Sequence, residues 1–307
     1  MRILITGITG YVGGALVPHL HADGHELRGL ARNPASARLD ADVPLVQGDV
    51  TSGAGLDEAL DGIDVAYYLI HSMETASNGA FESREEEGAR RFARAAERAG
   101  VKRIVYLGGI LPSARPVSPH MASRLKVEEL LLEAVPESVA FRASIVIGAR
   151  SRSFRFLVRL VERVPVIPLP PWGRFQTQPI DGRDMLEFLI RAADVRATPG
   201  GSYDVAGPDV VSYGEMIERI GDLLLLDRPS IRLPVAMNAV ASQVAAAIAG
   251  EDHGLVGPLM GSLGSDILPR DMTAPDRFGV RLHRFDRAVE RALREWEELE
   301  PGSVAAR

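Results

Sequence analysis

The chain has 307 residues, 46% hydrophobic and 25% charged, with a formal net charge of −6 and no cysteine. That length supports a large core in one or two domains, and the composition is that of a globular protein. It excludes disulfides, thiolate metal sites and a cysteine nucleophile, gives no global basic field for nucleic acid, and accords with a cytoplasmic setting.

The N-terminus runs straight into strand-like sequence around Ile3, Leu4 and Ile5, which argues against a secretory signal. Glycines follow, then a predicted helix over 11–23 and a second strand over 26–31 that ends at Arg32-Asn33-Pro34. Short strands are predicted over 44–47 and 65–70, and a long amphipathic helix over 80–99, with Gly100 as its C-cap. A strand over 103–107, a helix over 119–135 and a strand over 139–142 complete the first half. Apolar strands separated by helices predict an α/β fold, a doubly wound parallel sheet covered on both faces.

After about residue 150 the pattern changes. The sequence predicts a helix over 154–164, a proline-rich surface loop over 165–171 next to Trp172, and a helix over 183–193. A strand over 202–206 follows, and Ser212 with Glu215 three residues later reads as a capping box. Helices are expected near 234–249 and over 285–299. The first of these contains Pro234, Asn238, Ser242 and Gln243, so no membrane span is expected. A soft boundary divides 1–150, a dinucleotide-binding domain, from 151–307, a mainly helical substrate-binding region that partly returns to it.

The chemistry-bearing motif is Gly7-Ile8-Thr9-Gly10-Tyr11-Val12-Gly13, backed by Gly14. It leaves a strand and opens a helix. Glycines permit a tight turn and close approach of a diphosphate, and the helix start offers free N–H groups and partial positive charge. Thr9, Tyr11 and Val12 sit in the same turn. At the end of the second strand an acidic residue would select NAD by binding the ribose 2′-hydroxyl. Here Arg32 stands there, whose guanidinium suits a 2′-phosphate, so NADP is favoured over NAD. Asp49, before Val50, is a candidate to accept from the adenine amino group or to cap the following helix.

The segments 3–14, Gly48-Asp49-Val50, 67–73 and 99–106 resemble the short-chain dehydrogenase/reductase superfamily, and in particular its atypical, NmrA-like NAD(P)H-binding branch. The resemblance covers about residues 1–150 and extends more loosely through 178–184 and 204–208. It implies a Rossmann-type sheet, a bound dinucleotide and a smaller C-terminal substrate region. It also implies a serine after the fifth strand and a tyrosine four residues before a lysine. Lys126 fits the lysine, but Gly109 stands at the serine position and Ala122 at the tyrosine position. A methyl group transfers no proton, so cofactor binding is implied more firmly than the family's alcohol–ketone chemistry.

Candidates to replace the missing groups are His71 and Ser72 after the fourth strand and His120 at the helix start, with Tyr106 and Ser123 nearby. Lys126 is expected to hold the nicotinamide ribose. Trp172 and Gln178 are candidates for substrate contact, with anchoring of the loop to the core as the alternative for Trp172. No H-E-x-x-H pair, G-x-S-x-G elbow or P-loop is present. Two functions follow: an oxidoreductase or epimerase acting on a small organic substrate with NADP, or a redox-sensing cofactor-binding regulator. The expected partners are a small molecule and, through the sheet's helices, a second copy or another protein; nucleic acid and membrane are not expected.

Overall fold

The computed structural model describes residues 1–39, 41–70, 80–112, 119–232 and 264–302. The chain runs β1 (Arg2–Thr6), α1 (Tyr11–Ala22), β2 (Glu26–Ala31), a 3-10 turn (Pro34–Ser36), β3 (Leu45–Gln47), α2 (Leu56–Leu60), β4 (Val65–Tyr68), α3 (Ala80–Arg98), β5 (Arg103–Gly109), α4 (Pro119–Ala134) and β6 (Val139–Ala143). It continues through β7 (Val146–Ile147), α5 (Arg152–Arg163), β8 (Ile167–Leu169), a second 3-10 turn (Pro171–Arg174), β9 (Gln176–Thr177), β10 (Ile180–Asp181), α6 (Gly182–Arg191) and β11 (Gly201–Val205). The remaining described elements are β12 (Val211–Ser212), α7 (Tyr213–Leu223), β13 (Ser230–Arg232), α8 (Ala274–Phe278) and α9 (Phe285–Leu299).

Seven strands form one parallel sheet in the order β11-β6-β5-β4-β1-β2-β3. The alternation of side chains along each strand sends neighbours to opposite faces. Ile3 and Ile5 join Leu16, Val17 and Leu20 of α1 and Phe188 of α6 on one face. Leu4 joins Phe92 of α3 and Val127 and Leu131 of α4 on the other. Both faces are therefore covered, which explains why these strands read as unbroken apolar runs. From β1 the chain proceeds outward to β2 and β3, then crosses back to β4 on the other side of β1. That reversal opens a crevice at the carboxyl ends of β1 and β4, where such sheets bind ligands.

The second half returns to the sheet: β11 pairs with β6, and α6 packs on α1. A separate cluster around Phe154, Tyr213, Ile217, Phe285 and the fully buried Trp296 covers the rest. Ser212 accepts from the Glu215 N–H at 3.1 Å, as its capping pattern predicts. Gly100 adopts φ +71 and closes α3, with the Val101 N–H bonded to the Ala96 carbonyl. The proline-rich stretch differs from expectation: it contains β8, paired in parallel with β13. Pro168 lies inside this three-residue strand, and its one pairing partner is β13, so the lost donor leaves no central ladder broken. The helix expected near 234–249 falls outside the described residues.

Candidate cofactor site

The turn between β1 and α1 is built from backbone packed on backbone. Gly7 adopts φ +67, and a Cβ there would come within 2.7 Å of the Leu69 carbonyl oxygen at the end of β4. A Cβ on Gly13 would lie 2.3 Å from the Gly7 carbonyl oxygen. The Gly10 N–H donates to that same oxygen at 2.9 Å. Thr6 ties the two central strands together: its hydroxyl donates to the Tyr67 carbonyl at 2.9 Å and accepts from the Leu69 N–H at 3.2 Å.

Helix α1 begins without a side-chain cap and without an acidic residue in its first turn. The N–H groups of Tyr11, Val12 and Gly13 therefore meet no competing side-chain oxygen from the cap, and the helix dipole favours an anion there. Glycine turn, uncapped helix and absence of negative charge together fit a dinucleotide diphosphate. A separate groove of about 600 Å³ runs along α1 from Thr9 and Gly10 past Tyr11 and Pro18 to Arg183, Glu295 and Glu298.

The residues predicted around this turn have distinct roles. Arg32 is exposed just beyond β2, and no charged or hydrogen-bonding partner takes its guanidinium among the described residues. Its carbonyl accepts from Gln47 Nε2 at 3.3 Å. Asp49 caps its own turn, accepting from the Thr51 N–H at 2.7 Å, whereas Gly55 precedes α2; the helix-capping alternative is thus replaced by a local turn. Val50 is buried against α3, and a Cβ on Gly88 would touch it at 3.4 Å, so its side chain belongs to the core. Tyr11 points away from the crevice into the gap beside Gly148 and Gly182, where an added Cβ would meet its hydroxyl at 2.1 and 2.7 Å. Burial first, then Glu295 and Asp181, pushes its hydroxyl well above the ordinary tyrosine range, so it stays protonated.

The predicted catalytic positions separate clearly. Ala122 and Lys126 lie one turn apart on an exposed face of α4, as the family spacing requires. The Lys126 ammonium donates to Glu129 at 3.1 Å on that same face. Gly109 ends β5, and a Cβ there would meet only Met121 at 3.5 Å and the Ala143 carbonyl at 4.0 Å. The missing serine is therefore not excluded by lack of space. Tyr106 packs towards α4, its hydroxyl donating to the Arg124 carbonyl at 3.4 Å, and burial raises its pKa. Ser123 donates to Glu85 of α3 at 2.7 Å in a buried pair. Neither offers a proton to the Ala122 face. His120 lies in the first turn of α4; His71 and Ser72 lie outside the described residues.

Trp172 packs edge-on to Tyr213 with ring centroids 6.4 Å apart, the anchoring alternative. The Gln178 amide donates to the Gly207 carbonyl at 2.6 Å and is buried, so it holds the loop after β11.

Sequence reasoning did not find the buried ion network at the carboxyl ends of β6 and β11. Arg142 makes a two-pronged contact with Glu128 of α4, at 2.8 and 2.6 Å, and lies 3.6 Å from Asp204. Glu128 also accepts from Ser202, and Asp204 accepts from the backbone N–H and guanidinium of Arg270 at 2.8 to 3.0 Å. Burial pushes the Asp204 carboxyl up to about 6, against the pull of Arg142. A second acidic group caps α6. Asp181 accepts from the Arg183 N–H and from Arg291, while Asp184 accepts from the His283 N–H and lies 2.6 Å from its Nδ1. Asp181, Asp184 and His283 place ligand atoms within 4.8 Å of one another, but Arg291 and Arg183 already neutralise Asp181, which disfavours a cation. The only local sign was the acid spacing Asp181-Gly182-Arg183-Asp184.

The profile of a family described as NAD(P)H-binding matches residues 7–134. The chain is 25% identical over 239 residues to NADH dehydrogenase [ubiquinone] 1 alpha subcomplex subunit 9, mitochondrial, of Arabidopsis thaliana, covering 75% of this chain and 60% of that one. It is 28% identical over 169 residues to a ceramide reductase of Caulobacter vibrioides (strain NA1000 / CB15N), covering 54% and 53%. The chain thus spans little more than half the length of these relatives. Among solved structures it is similar to MoeE5 in complex with UDP-glucuronic acid and NAD, with TM-score 0.74, 18% identity and coverage of 97% and 99%. That likeness is one of fold.

Proposed function

We propose that the chain is an atypical member of the short-chain dehydrogenase/reductase superfamily and an NADP(H)-dependent oxidoreductase or epimerase of a small organic carbonyl or hydroxyl compound. Its N-terminal part is an NAD(P)H-binding domain. The observation that carries the reading is the β1–α1 turn, where Gly7 and Gly13 have no room for a side chain and the helix start has no cap. Tyr11, Val12 and Gly13 would hold the diphosphate through their N–H groups, Thr9 and Arg32 would border the adenosine ribose, and Asp49 the adenine. Arg32, without an acidic partner, supports NADP over NAD. Lys126 would leave Glu129 to reach the nicotinamide ribose, an exchange of one exposed ion pair that costs little.

When bound, the nicotinamide supplies or accepts hydride. The chain must then manage a proton without the family's tyrosine. Ala122 and Gly109 carry no titratable group; Tyr11 is held protonated beside Gly148 and Gly182, and Tyr106 is held protonated against the inner side of α4, not on its Ala122 face. Proton exchange is assigned to His120, His71 or Ser72, or to water and substrate themselves. The experiment is a calorimetric titration of purified protein with NADP⁺, NADPH, NAD⁺ and NADH, followed by NADPH oxidation across a carbonyl panel. Tighter binding of the phosphorylated pair and turnover on at least one substrate support the reading. No binding of any of the four overturns it.

The bare Ala122 face favours a second reading, a redox-sensing regulator that binds oxidised and reduced cofactor differently and passes that state to a protein partner. Equal affinities for NADP⁺ and NADPH would rule it out, since ligands without differential affinity shift no equilibrium.

A further inference from the structure

We propose that the groove along α1 is a second ligand site, apart from the cofactor crevice, and that it takes a small organic carboxylate bearing a hydroxyl or amine. The inference stands independently of the cofactor assignment. The groove holds about 600 Å³, within the range of about 300–1,000 Å³ usual for small-molecule pockets. Small residues make the space: Gly14 and Ala15 of α1, with Gly148, Ala149 and Gly182 from the second half, bring little side chain to its surface. Leu39, Leu186 and Leu299 give it an apolar flank.

The charges on the walls resolve into a closed set and an open pair. Asp181 accepts from Arg291 and lies 3.4 Å from the Arg183 guanidinium, and Glu295 lies 3.2 Å from Arg291 Nε. These two arginines and two carboxylates balance one another. Arg38 and Arg150 also line the groove, and neither has a carboxylate partner among the described residues. Against them stands Glu298, exposed in the last turn of α9. A single positive charge is left over, and one carboxylate matches it, whereas a phosphate monoester, at about −1.5 to −2, exceeds it.

The wall also offers an acceptor. Pro18 lies inside α1 and has no N–H, so the Gly14 carbonyl four residues earlier lacks its helical donor. Both residues line the groove. A ligand hydroxyl or amine can supply the missing donor while its carboxylate meets Arg38 and Arg150, and its carbon body lies on the leucine flank.

The test titrates 4-hydroxybenzoate, benzoate, phenyl phosphate and 4-hydroxybenzyl alcohol into the full chain by ligand-observed NMR, with and without saturating NADP⁺. 4-Hydroxybenzoate is expected to bind most tightly, benzoate about threefold less and the uncharged alcohol about tenfold less. R38A/R150A is expected to weaken 4-hydroxybenzoate about tenfold, with each single variant between. Both side chains are exposed, so melting temperatures matching wild type are expected to accompany the loss of binding. Pro18→Ala returns an N–H to the Gly14 carbonyl and is expected to erase the advantage of 4-hydroxybenzoate while leaving benzoate unchanged. Displacement of the probe by NADP⁺ would place it in the cofactor crevice and overturn the proposal, as would R38A/R150A protein that binds like wild type. Phenyl phosphate binding more tightly than benzoate overturns the carboxylate assignment, and a hydroxyl advantage that survives Pro18→Ala overturns the Gly14 contact. If NADP⁺ does not bind at all, the cofactor reading fails while the variants still decide this site.

Discussion

Gly13→Ala tests the geometry on which cofactor binding depends. The new Cβ would stand 2.3 Å from the Gly7 carbonyl oxygen, 2.9 Å from its carbon and 2.9 Å from Ile8 Cα, all backbone atoms that no rotamer change can move. Relief requires α1 to back away from β1 by about 1 Å, since carbon contacts settle near 3.5 Å. Forcing one extra carbon into packed structure costs about 1–3 kcal/mol, against about 0.5–1 kcal/mol gained by replacing a helical glycine. With a backbone contact as short as 2.3 Å the cost lies at the upper end, and the net loss is about 2 kcal/mol, or several degrees in melting temperature. Gly14→Ala is the internal control: its Cβ would meet the Ile8 carbonyl oxygen at 3.4 Å, an ordinary contact, so it keeps or gains stability. Gly13→Ala also displaces the Tyr11, Val12 and Gly13 N–H groups, and NADP⁺ affinity is expected to fall at least about tenfold. Denaturant melts and calorimetry on both variants decide the matter. A Gly13→Ala protein that melts and binds like wild type would show that the turn is not packed as described, and the diphosphate assignment would lose its basis.

Gly109→Ser with Ala122→Tyr restores the family's proton-handling set in a place with room for it, and is expected to raise NADPH-dependent carbonyl reduction about 10²-fold or more; no change in rate would place the reacting groups elsewhere. Arg142→Met leaves Glu128 buried without its cation and is expected to cost about 3–5 kcal/mol by denaturant melting, whereas Arg142→Met with Glu128→Leu costs less, because no charge is then stranded. The Lys102 ammonium, then the Arg2 N–H, hold the Asp64 carboxyl below the usual aspartate range. Its contribution is therefore present above the unfolded-state pKa and is lost as pH falls through the folded one. Asp64→Asn is expected to be destabilised by up to about 1 kcal/mol at neutral pH, with the gap closing in melts below about pH 4.

What the sequence reveals depends on how local the cause is. The β1–α1 turn was legible because its glycines are required by contacts within a few residues, Gly10 and Gly13 on Gly7. The last helix, α9, was legible over its full length because Phe285, Ala288, Val289, Ala292 and Trp296 repeat with helical period. Helix α2 was not: five residues are too few to show a period, and its start is set by Gly55 at φ +73, wedged against Gln47. The paired dipeptides β7 and β10 join Val146 to Ile180 and carry no short-range signal. Arg142 read as the end of an apolar strand; its partners Glu128, Asp204 and Arg270 come from α4, β11 and the C-terminal arm, and only the fold brings them together. Gly109 and Ala122 were identified by position, and the structure adds what position cannot: space at the first and a shared exposed face at the second.

The ion network also bears on the cofactor site, through the rotation of one helix. Glu128 and Lys126 are two residues apart on α4, which sets their side chains about 200° apart around the axis. Glu128 points inward, with Arg142 of β6 and Ser202 of β11 fixing it from two strands. Ser123, inward on the same helix, is fixed to Glu85 of α3. Two buried polar anchors, one to the sheet and one to the neighbouring helix, leave α4 no freedom to roll. The face that carries Ala122 and Lys126 is thereby determined from the interior, and under the proposed function Lys126 would exchange Glu129 for the ribose without any movement of backbone. Apolar packing alone would hold the helix as firmly but would tolerate small rotations, since hydrophobic contact is not directional. Hydrogen-bonded charges are directional, and that property would matter at Lys126 if, as proposed, it meets the bound cofactor.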